Sequence, residues 1–455
     1  MSAQHELRAI RSGRLLPLLT ALILTALLVR LLQHLAHATG WIESDSATYW
    51  PIFAGLFALL TLQLVLASLD RPARTTSEEQ SRLDAMSVAV LVPAYNEDPV
   101  ALEACLAGLL HQSRPPQTIC VVDDGSSVDY AEARRRFEIL AERMGIEHRW
   151  IKQDNAGKRH AQAAAITFCP EADVFVTVDS DSVCDRRAIE EALKPLKDED
   201  VHAVAGILVA ANARTNLLTR MLDLTWTTWQ CSERSALSSL GSVIINSGGF
   251  ALYRADVVRE NLESYLNETF LGRPVRYSDD SQLTLYALVG GRTVQQSTAF
   301  CFTLVPERVH HHLRQQLRWM RGSAIRSVWR VRYLPMTAVA FWFQVLLWAR
   351  IVLAPLLLVA LIANPQTRGA LFPWMLLIPV LMGYIQGLRY FCVQTSNLPP
   401  GQRLAGYALL VPVSVTWSYT VLSVVRWYGM ATCWRNQWGT RSTVEVTGVT
   451  PATGT

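Results

Sequence analysis

Val174-Phe175-Val176-Thr177-Val178-Asp179-Ser180-Asp181 (VFVTVDSD, residues 174–181) is a short β-branched and apolar run that stops on two carboxylates. A continuous run of this kind, bounded by a polar turn, predicts a strand buried on both faces. Two similar runs lie upstream. Val88 to Val92 leads into Pro93-Ala94-Tyr95-Asn96-Glu97, and Thr118 to Val122 leads into Asp123-Asp124-Gly125-Ser126-Ser127. Helical patterns separate them, so the central region predicts an α/β domain with a mostly parallel sheet. Ligands of such sheets bind beyond the carboxyl ends of the strands. Three polar clusters are therefore expected along one edge.

Asp179 and Asp181 are hard oxygen ligands spaced to hold Mg²⁺ or Mn²⁺, an ion that usually keeps substrate phosphates in its shell. A solvated turn is the competing reading of an isolated Asp-x-Asp, and the alignment with two other acidic strand ends favours the metal. Asp123 or Asp124 is suited to accept hydrogen bonds from a uracil or ribose, with Gly125 permitting the tight turn beneath. Lys158 and Arg159, in Asn155-Ala156-Gly157-Lys158-Arg159-His160, place cations beside a glycine turn before a helix, where a diphosphate would bind. Neither a Walker pattern nor G-x-G-x-x-G is present.

Further on, Ser247-Gly248-Gly249 enters a strand through small residues that allow a ligand close to the backbone. Asp279 and Asp280, in Tyr277-Ser278-Asp279-Asp280, fall at the expected start of a helix, where the dipole favours carboxylates. Helix capping is the bland role for this pair. Asp280 is also the candidate general base, because a carboxylate facing a cleft can take a proton from an acceptor hydroxyl.

Gln315, Arg318 and Trp319, in RQQLRWMR (314–321), share one helix face through their i, i+3, i+4 spacing. An amide, a guanidinium and an indole on one face can clamp a diphosphate and stack on a sugar ring. An interfacial helix whose Arg and Trp snorkel at a membrane boundary has the same composition. His310-His311-His312 just before it cannot direct three imidazoles to one face, so packing is expected there rather than a metal.

Hydrophobic residues make up 50% of the 455 and charged ones 18%, with the apolar excess at the two ends. Leu15 to Leu35 and Trp50 to Leu69 are each close to the roughly 20 residues that cross a bilayer. A cleaved signal peptide is disfavoured for the first by its long apolar run. Met336 to Ala363, Gly369 to Leu388 and Leu404 to Val425 are apolar again, and Arg350 within the first of them is expected to face a polar path or to snorkel. Arginines before the first helix and after the second put the N-terminus and the central region in the cytoplasm. The eight cysteines have no metal-ligand spacing and are read as reduced and structural. A net charge of +4 gives no reason to invoke nucleic acid.

In order, these elements resemble the processive family 2 glycosyltransferases of the GT-A fold, most closely the hyaluronan synthases and nodulation-type chitooligosaccharide synthases. The likeness spans Val88 to Arg321. It implies an α/β GT-A domain flanked by transmembrane and interfacial helices. It also implies that Tyr95 and Glu97 belong to a uracil-side motif, Asp123 and Asp124 to a nucleoside turn, Lys158 and Arg159 to the phosphate segment, and Asp179 and Asp181 to the metal site. Asp280, with Asp279 before it, occupies the position of the base, and Gln315, Arg318 and Trp319 that of the QxxRW motif that binds the diphosphate and lines the acceptor site. Trp438-Gly439-Thr440-Arg441 resembles a WGTR segment near the active site, so Trp438 and Arg441 join Ser247 and Gly248 as acceptor or gating residues.

The departures are Asn246 to Gly249 and Arg321-Gly322-Ser323, where hyaluronan synthases differ; they leave a single-sugar, chitin-like polymer open. The expected organisation is a membrane region (1–75), a catalytic domain (76–310), an interfacial segment (311–335), membrane helices (336–430) and a cytoplasmic tail (431–455). The implied activity is inverting polymerisation of UDP-sugars, UDP-GlcNAc and UDP-GlcA in the hyaluronan case, into a growing polysaccharide that crosses the bilayer. A single-transfer enzyme that glycosylates a lipid carrier is the other reading, though such enzymes usually need no QxxRW. A cytoplasmic Trp438 to Arg441 would require one apolar segment to fold back or lie along the interface. Leu404 to Val425, interrupted by Pro412, is the expected one. So few crossings raise a pore shared by a homodimer.

Overall fold

The computed structural model describes residues 8–11, 13, 15–38, 50–363 and 377–435. Trp438 to Arg441 and residues 369–376 of the fourth apolar segment lie outside these. The domain is built on an eight-stranded sheet: β1 (Val88–Ala94), β2 (Thr118–Asp123), β3 (Glu147–Lys152), β4 (Val174–Val178), β5 (Ser182–Cys184), β6 (Val201–Ala210), β7 (Phe250–Arg254) and β8 (Arg292–Thr303). Their order is β3-β2-β1-β4-β7-β6-β8-β5.

Burial explains why the strand runs are continuously apolar. Val88, Val90 and Val92 pack on one face with Leu102, Leu106 and Leu109 of the helix Pro99–Leu110. Ala89 and Leu91 pack on the other with Ala161, Ala165 and Ile166 of the helix Lys158–Thr167. Side chains alternate along a strand, so a strand covered on both faces has no polar position to offer.

The first four strands are parallel, and Ala94, Asp123 and Val178 end at one edge. The rest departs from the expected mostly parallel sheet. Strand β7 runs antiparallel to both β4 and β6, and β5 antiparallel to β8, so the sheet is mixed. Strand β5 follows the Asp179–Asp181 turn directly, which reverses the chain and sends it to the far edge of the sheet.

Ends of the chain are tied to this domain. Ala9–Arg11 pairs antiparallel with Val393–Thr395. The buried Arg389 donates to the carbonyls of Cys231 and Ala67 and to the Ser68 hydroxyl, fastening the helix Trp50–Leu69 to the catalytic side. Helix Val309–Tyr333 carries Gln315, Arg318 and Trp319 and is followed by Val339–Ala363. His312 is buried in it, with its ring against Trp417, whose indole donates to Nε2 at 3.4 Å. All eight cysteines are free and buried.

Among the described residues, one helical run, Pro400–Ala431, is long and apolar enough to cross a membrane. Leu15–Leu27, Ala54–Leu69 and Val339–Leu353 are apolar but shorter. Pro412 does not interrupt its segment: the helix runs from Pro400 to Tyr419 and bends at Thr420. Proline removes the N–H that would serve the carbonyl four residues back. The Tyr384 hydroxyl serves it instead, donating to Ala408 O at 2.6 Å.

Candidate active site

Lys158 is the hub of the polar edge. Its ammonium lies 2.7 Å from Asp179 Oδ1 and 3.0 Å from Asp279 Oδ2, joining the end of β4 to the start of the helix Asp279–Gly290. Burial opposes the charge on Lys158, yet the two carboxylates outweigh it and hold the pKa above the ordinary lysine value. Asp279 is likewise opposed by burial and held below the carboxylate range by Lys158. It also accepts a 3.3 Å hydrogen bond from Gln162, whose amide oxygen is fixed by the Tyr265 hydroxyl at 2.5 Å.

Asp280 is different. Burial, and then the neighbouring charge of Asp279, push its pKa up to about 6. One oxygen accepts from Ser281 N at 2.6 Å and the other from Gly248 N at 3.3 Å. Ser278 occupies the N-cap position, in a left-handed conformation with φ 61°, so neither aspartate caps the helix. A carboxylate with a pKa near neutrality, held by a short backbone hydrogen bond on one oxygen and only a long one on the other, is equipped to take and release a proton.

Asp124 spends both oxygens on the loop before Lys158. Gln153 Nε2 (2.7 Å) and Ala156 N (3.0 Å) donate to Oδ1, and Gly157 N (2.8 Å) to Oδ2. Gly125 is needed here, because with φ 74° a Cβ would lie 2.7 Å from Asn155 N. Asp124 therefore positions Lys158, and of the two nucleoside candidates Asp123 retains the freer oxygen. Its Oδ1 accepts from Ser126 N at 2.9 Å, while Oδ2 is 3.9 Å from Lys152 Nζ.

Glu97 is buried and accepts from the Ser180 hydroxyl at 3.1 Å, tying the first strand's turn to the Asp179–Asp181 turn. Tyr95 is half-buried at the same edge. Asp181 accepts from Ser182 Oγ (3.3 Å) and Thr303 Oγ1 (3.4 Å). Among the described residues no three His, Cys, Asp or Glu side chains converge on one point. Asp179 and Asp181 alone fit an ion that keeps waters and substrate phosphate among its ligands.

Arg159 departs from its expected place beside the phosphate. It is 3% exposed, paired with Glu268 at 2.8 Å, and donates to the carbonyls of Tyr265 and Tyr277. Successive helix residues point about 100° apart, so Lys158 faces the cleft while Arg159 braces the segment that leads into Asp279. Ser247 is also engaged, its hydroxyl accepting from the buried Arg234 at 3.0 Å. Gly248 borders the hub, since a Cβ there would sit 3.1 Å from Lys158 Nζ and 3.7 Å from Asp279 Oδ2.

The helix bearing Gln315, Arg318 and Trp319 closes over this edge. It packs against Ser278 at Gly322 and against Gly429 at Met320. Trp319 is 39% exposed and lies 5.6 Å, centroid to centroid, from Trp226. Gln315 Oε1 is buried with no hydrogen-bond partner among the described residues.

Residues 85–322 match the family model described as glycosyltransferase like family 2. The chain belongs to that family. The glycosyltransferase is 35% identical to the hyaluronan synthase of Streptococcus pyogenes serotype M3 over 398 residues, 86% of this chain and 90% of the relative. An N-acetylglucosaminyltransferase of Azorhizobium caulinodans is 36% identical over 241 residues, covering 52% and 59% of the two chains. Among solved structures, a mannosyltransferase from Pyrobaculum calidifontis in complex with GDP-Man and Mn²⁺ has a TM-score of 0.46 at 18% identity, covering 84% of this chain and 99% of that one. The glycosyltransferase is thus a hexosyltransferase with hyaluronan synthases among its relatives.

Sequence reasoning missed Gln162, Tyr265 and Thr303. Gln162 had a signal, since it stands four residues after Lys158 on the same helix face. Tyr265 and Thr303 had none, because they arrive from distant parts of the chain.

Proposed function

We propose that this hexosyltransferase is a processive, inverting β-glycosyltransferase that polymerises UDP-GlcNAc and UDP-GlcA, as a hyaluronan synthase does, and passes the polymer across the membrane. The likeness to hyaluronan synthase supports the polymerase reading, and the observation that carries the inverting step is the division of labour between adjacent aspartates: Asp279 is paired with Lys158, while burial pushes the pKa of Asp280 up to about 6 beside Gly248. One base without a neighbouring free carboxylate nucleophile supports a single displacement. The acceptor O–H gives its proton to Asp280 as its oxygen bonds to C1, and the bond from C1 to the diphosphate oxygen breaks on the opposite face. The UDP leaves with the electron pair.

Lys158 and Arg318 supply cations for the leaving diphosphate. Asp181 and Asp179 are the residues that would hold Mg²⁺ or Mn²⁺, which neutralises charge at a diphosphate. Asp123 and Tyr95 are assigned to the nucleoside side, Gln315 and Trp319 to the acceptor, and Ser247 and Gly248 to the turn beneath it. A cytoplasmic catalytic domain with multiple membrane crossings, and a pore shared by two protomers, complete the proposal.

Purified protein given single and paired UDP-sugars with Mg²⁺ or Mn²⁺ tests it. High-molecular-weight product that needs both UDP-GlcNAc and UDP-GlcA is the expected result. Polymer from UDP-GlcNAc alone would identify a chitin-like synthase, and UDP release without polymer would sink the processive reading. A monomer that secretes polymer in reconstituted vesicles would refute the shared pore.

A further inference from the structure

Trp226 belongs to the helix Leu217–Trp229, which is fastened over the carboxyl ends of β6 and β8. Gln230 at its end exchanges two hydrogen bonds with Leu208, at 2.7 and 2.8 Å. Asn216 caps its start and donates to Glu307 O at 2.9 Å. The buried Asp223 accepts from Ala210 N and from the Tyr390 hydroxyl. Trp226 packs against the buried cluster of Ala210, Ala213, Leu222, Val305 and Leu398, and Ala210 is the strand partner of Thr303, the residue that donates to Asp181. The indole is thus held on the same edge as the metal-ligand pair.

Two details separate this ring from ordinary core. It is only partly buried, and its plane is tilted 43° from that of Trp319 at 5.6 Å, so the pair presents a corner with two faces. Its N–H has no hydrogen-bond partner among the described residues and is not sealed from solvent, so a ligand hydroxyl can reach it. An apolar face with a donor at its rim matches a pyranose ring, which offers C–H groups on its face and hydroxyls around its edge. The spacing of the two rings is comparable to one sugar of a β-linked chain.

We infer that Trp226 and Trp319 together hold the last two sugars of the acceptor, with Trp226 seating the second. The inference rests on the polymerase reading and extends it: Trp226 selects an acceptor of at least two sugars over a monosaccharide.

The test uses full-length protein in lipid nanodiscs with its UDP-sugar donor, comparing GlcNAc, its β-linked disaccharide and a hyaluronan tetrasaccharide as acceptors. The wild type is expected to show an acceptor KM about tenfold lower for one of the oligosaccharides than for GlcNAc, the factor that about 1.4 kcal/mol supplies. Trp226→Leu should lose that preference while calorimetric UDP affinity stays within about twofold. Trp226→Phe, which keeps a ring and preserves packing, should retain part of it. An unchanged oligosaccharide preference in Trp226→Leu would overturn the inference. So would equal loss of UDP and acceptor affinity in both variants, since that marks a packing support for Trp319. Wild-type protein that turns over no UDP-sugar would instead defeat the polymerase reading, and this one with it.

Discussion

Gly322 of the helix Val309–Tyr333 lies directly against Ser278, the N-cap residue of the helix that begins with Asp279 and Asp280; a Cβ at 322 would collide with the Ser278 hydroxyl. The contact sets how closely the helix that carries Gln315, Arg318 and Trp319 approaches Asp280. Gly to Ala inside a helix normally stabilises it by about 1 kcal/mol. Here Gly322→Ala should leave the helix content seen by circular dichroism intact and lower kcat by about tenfold or more, because small misplacements of reacting groups are costly. Wild-type kcat in this variant would show that the close approach is dispensable.

Asp280→Asn removes the proton acceptor while keeping the side-chain shape. Turnover should drop by about 100-fold or more, with UDP binding by calorimetry unchanged. Retained turnover would exclude Asp280 as the base.

Activity should follow the ionisation of Asp280. The base works deprotonated, and burial with the charge of Asp279 raises its pKa to about 6. The rate kcat/KM should therefore rise with pH through about 6 and fall away below it as Asp280 is protonated. Asp279→Asn removes the negative neighbour, so the acid limb should move to lower pH. A limb that stays in place would mean that another group controls it.

Tyr384 and Pro412 make a prediction about the membrane-side helices. Tyr384→Phe strips Ala408 O of its donor and should destabilise the protein by about 0.5–1.5 kcal/mol. In that background Pro412→Ala restores a backbone N–H to the helix and should recover most of the loss, a non-additivity that marks a direct coupling. Thermal unfolding of the two single variants and the double variant decides it. Additive effects would rule out the substitution of hydroxyl for amide.

Much of the catalytic edge was legible because burial is written locally. Val88 to Val92, Thr118 to Val122 and Val174 to Val178 have to be apolar on both faces, and the polar residues after them have to fall where the strands end. The helix face of Gln315, Arg318 and Trp319 follows equally from 3.6 residues per turn. By contrast, the antiparallel β7 was not legible, since direction depends on which strands it joins rather than on its own residues.

Adjacent residues of the same type show where local information stops. Asp123 and Asp124, and Lys158 and Arg159, are each a pair that the sequence nominates without ranking, whereas for Asp279 and Asp280 it names the second as the base without showing what separates them. The sequence determined that carboxylates and cations would gather at one sheet edge, with an amide, a guanidinium and an indole on the helix beyond. Only the tertiary structure decided that Asp124 holds a loop, that Arg159 turns inward to Glu268, and that Lys158 pairs with Asp279 while burial raises the proton affinity of Asp280. The physical reason is that charge and proton affinity depend on burial and on partners brought in from far along the chain, and those exist only once the chain is folded.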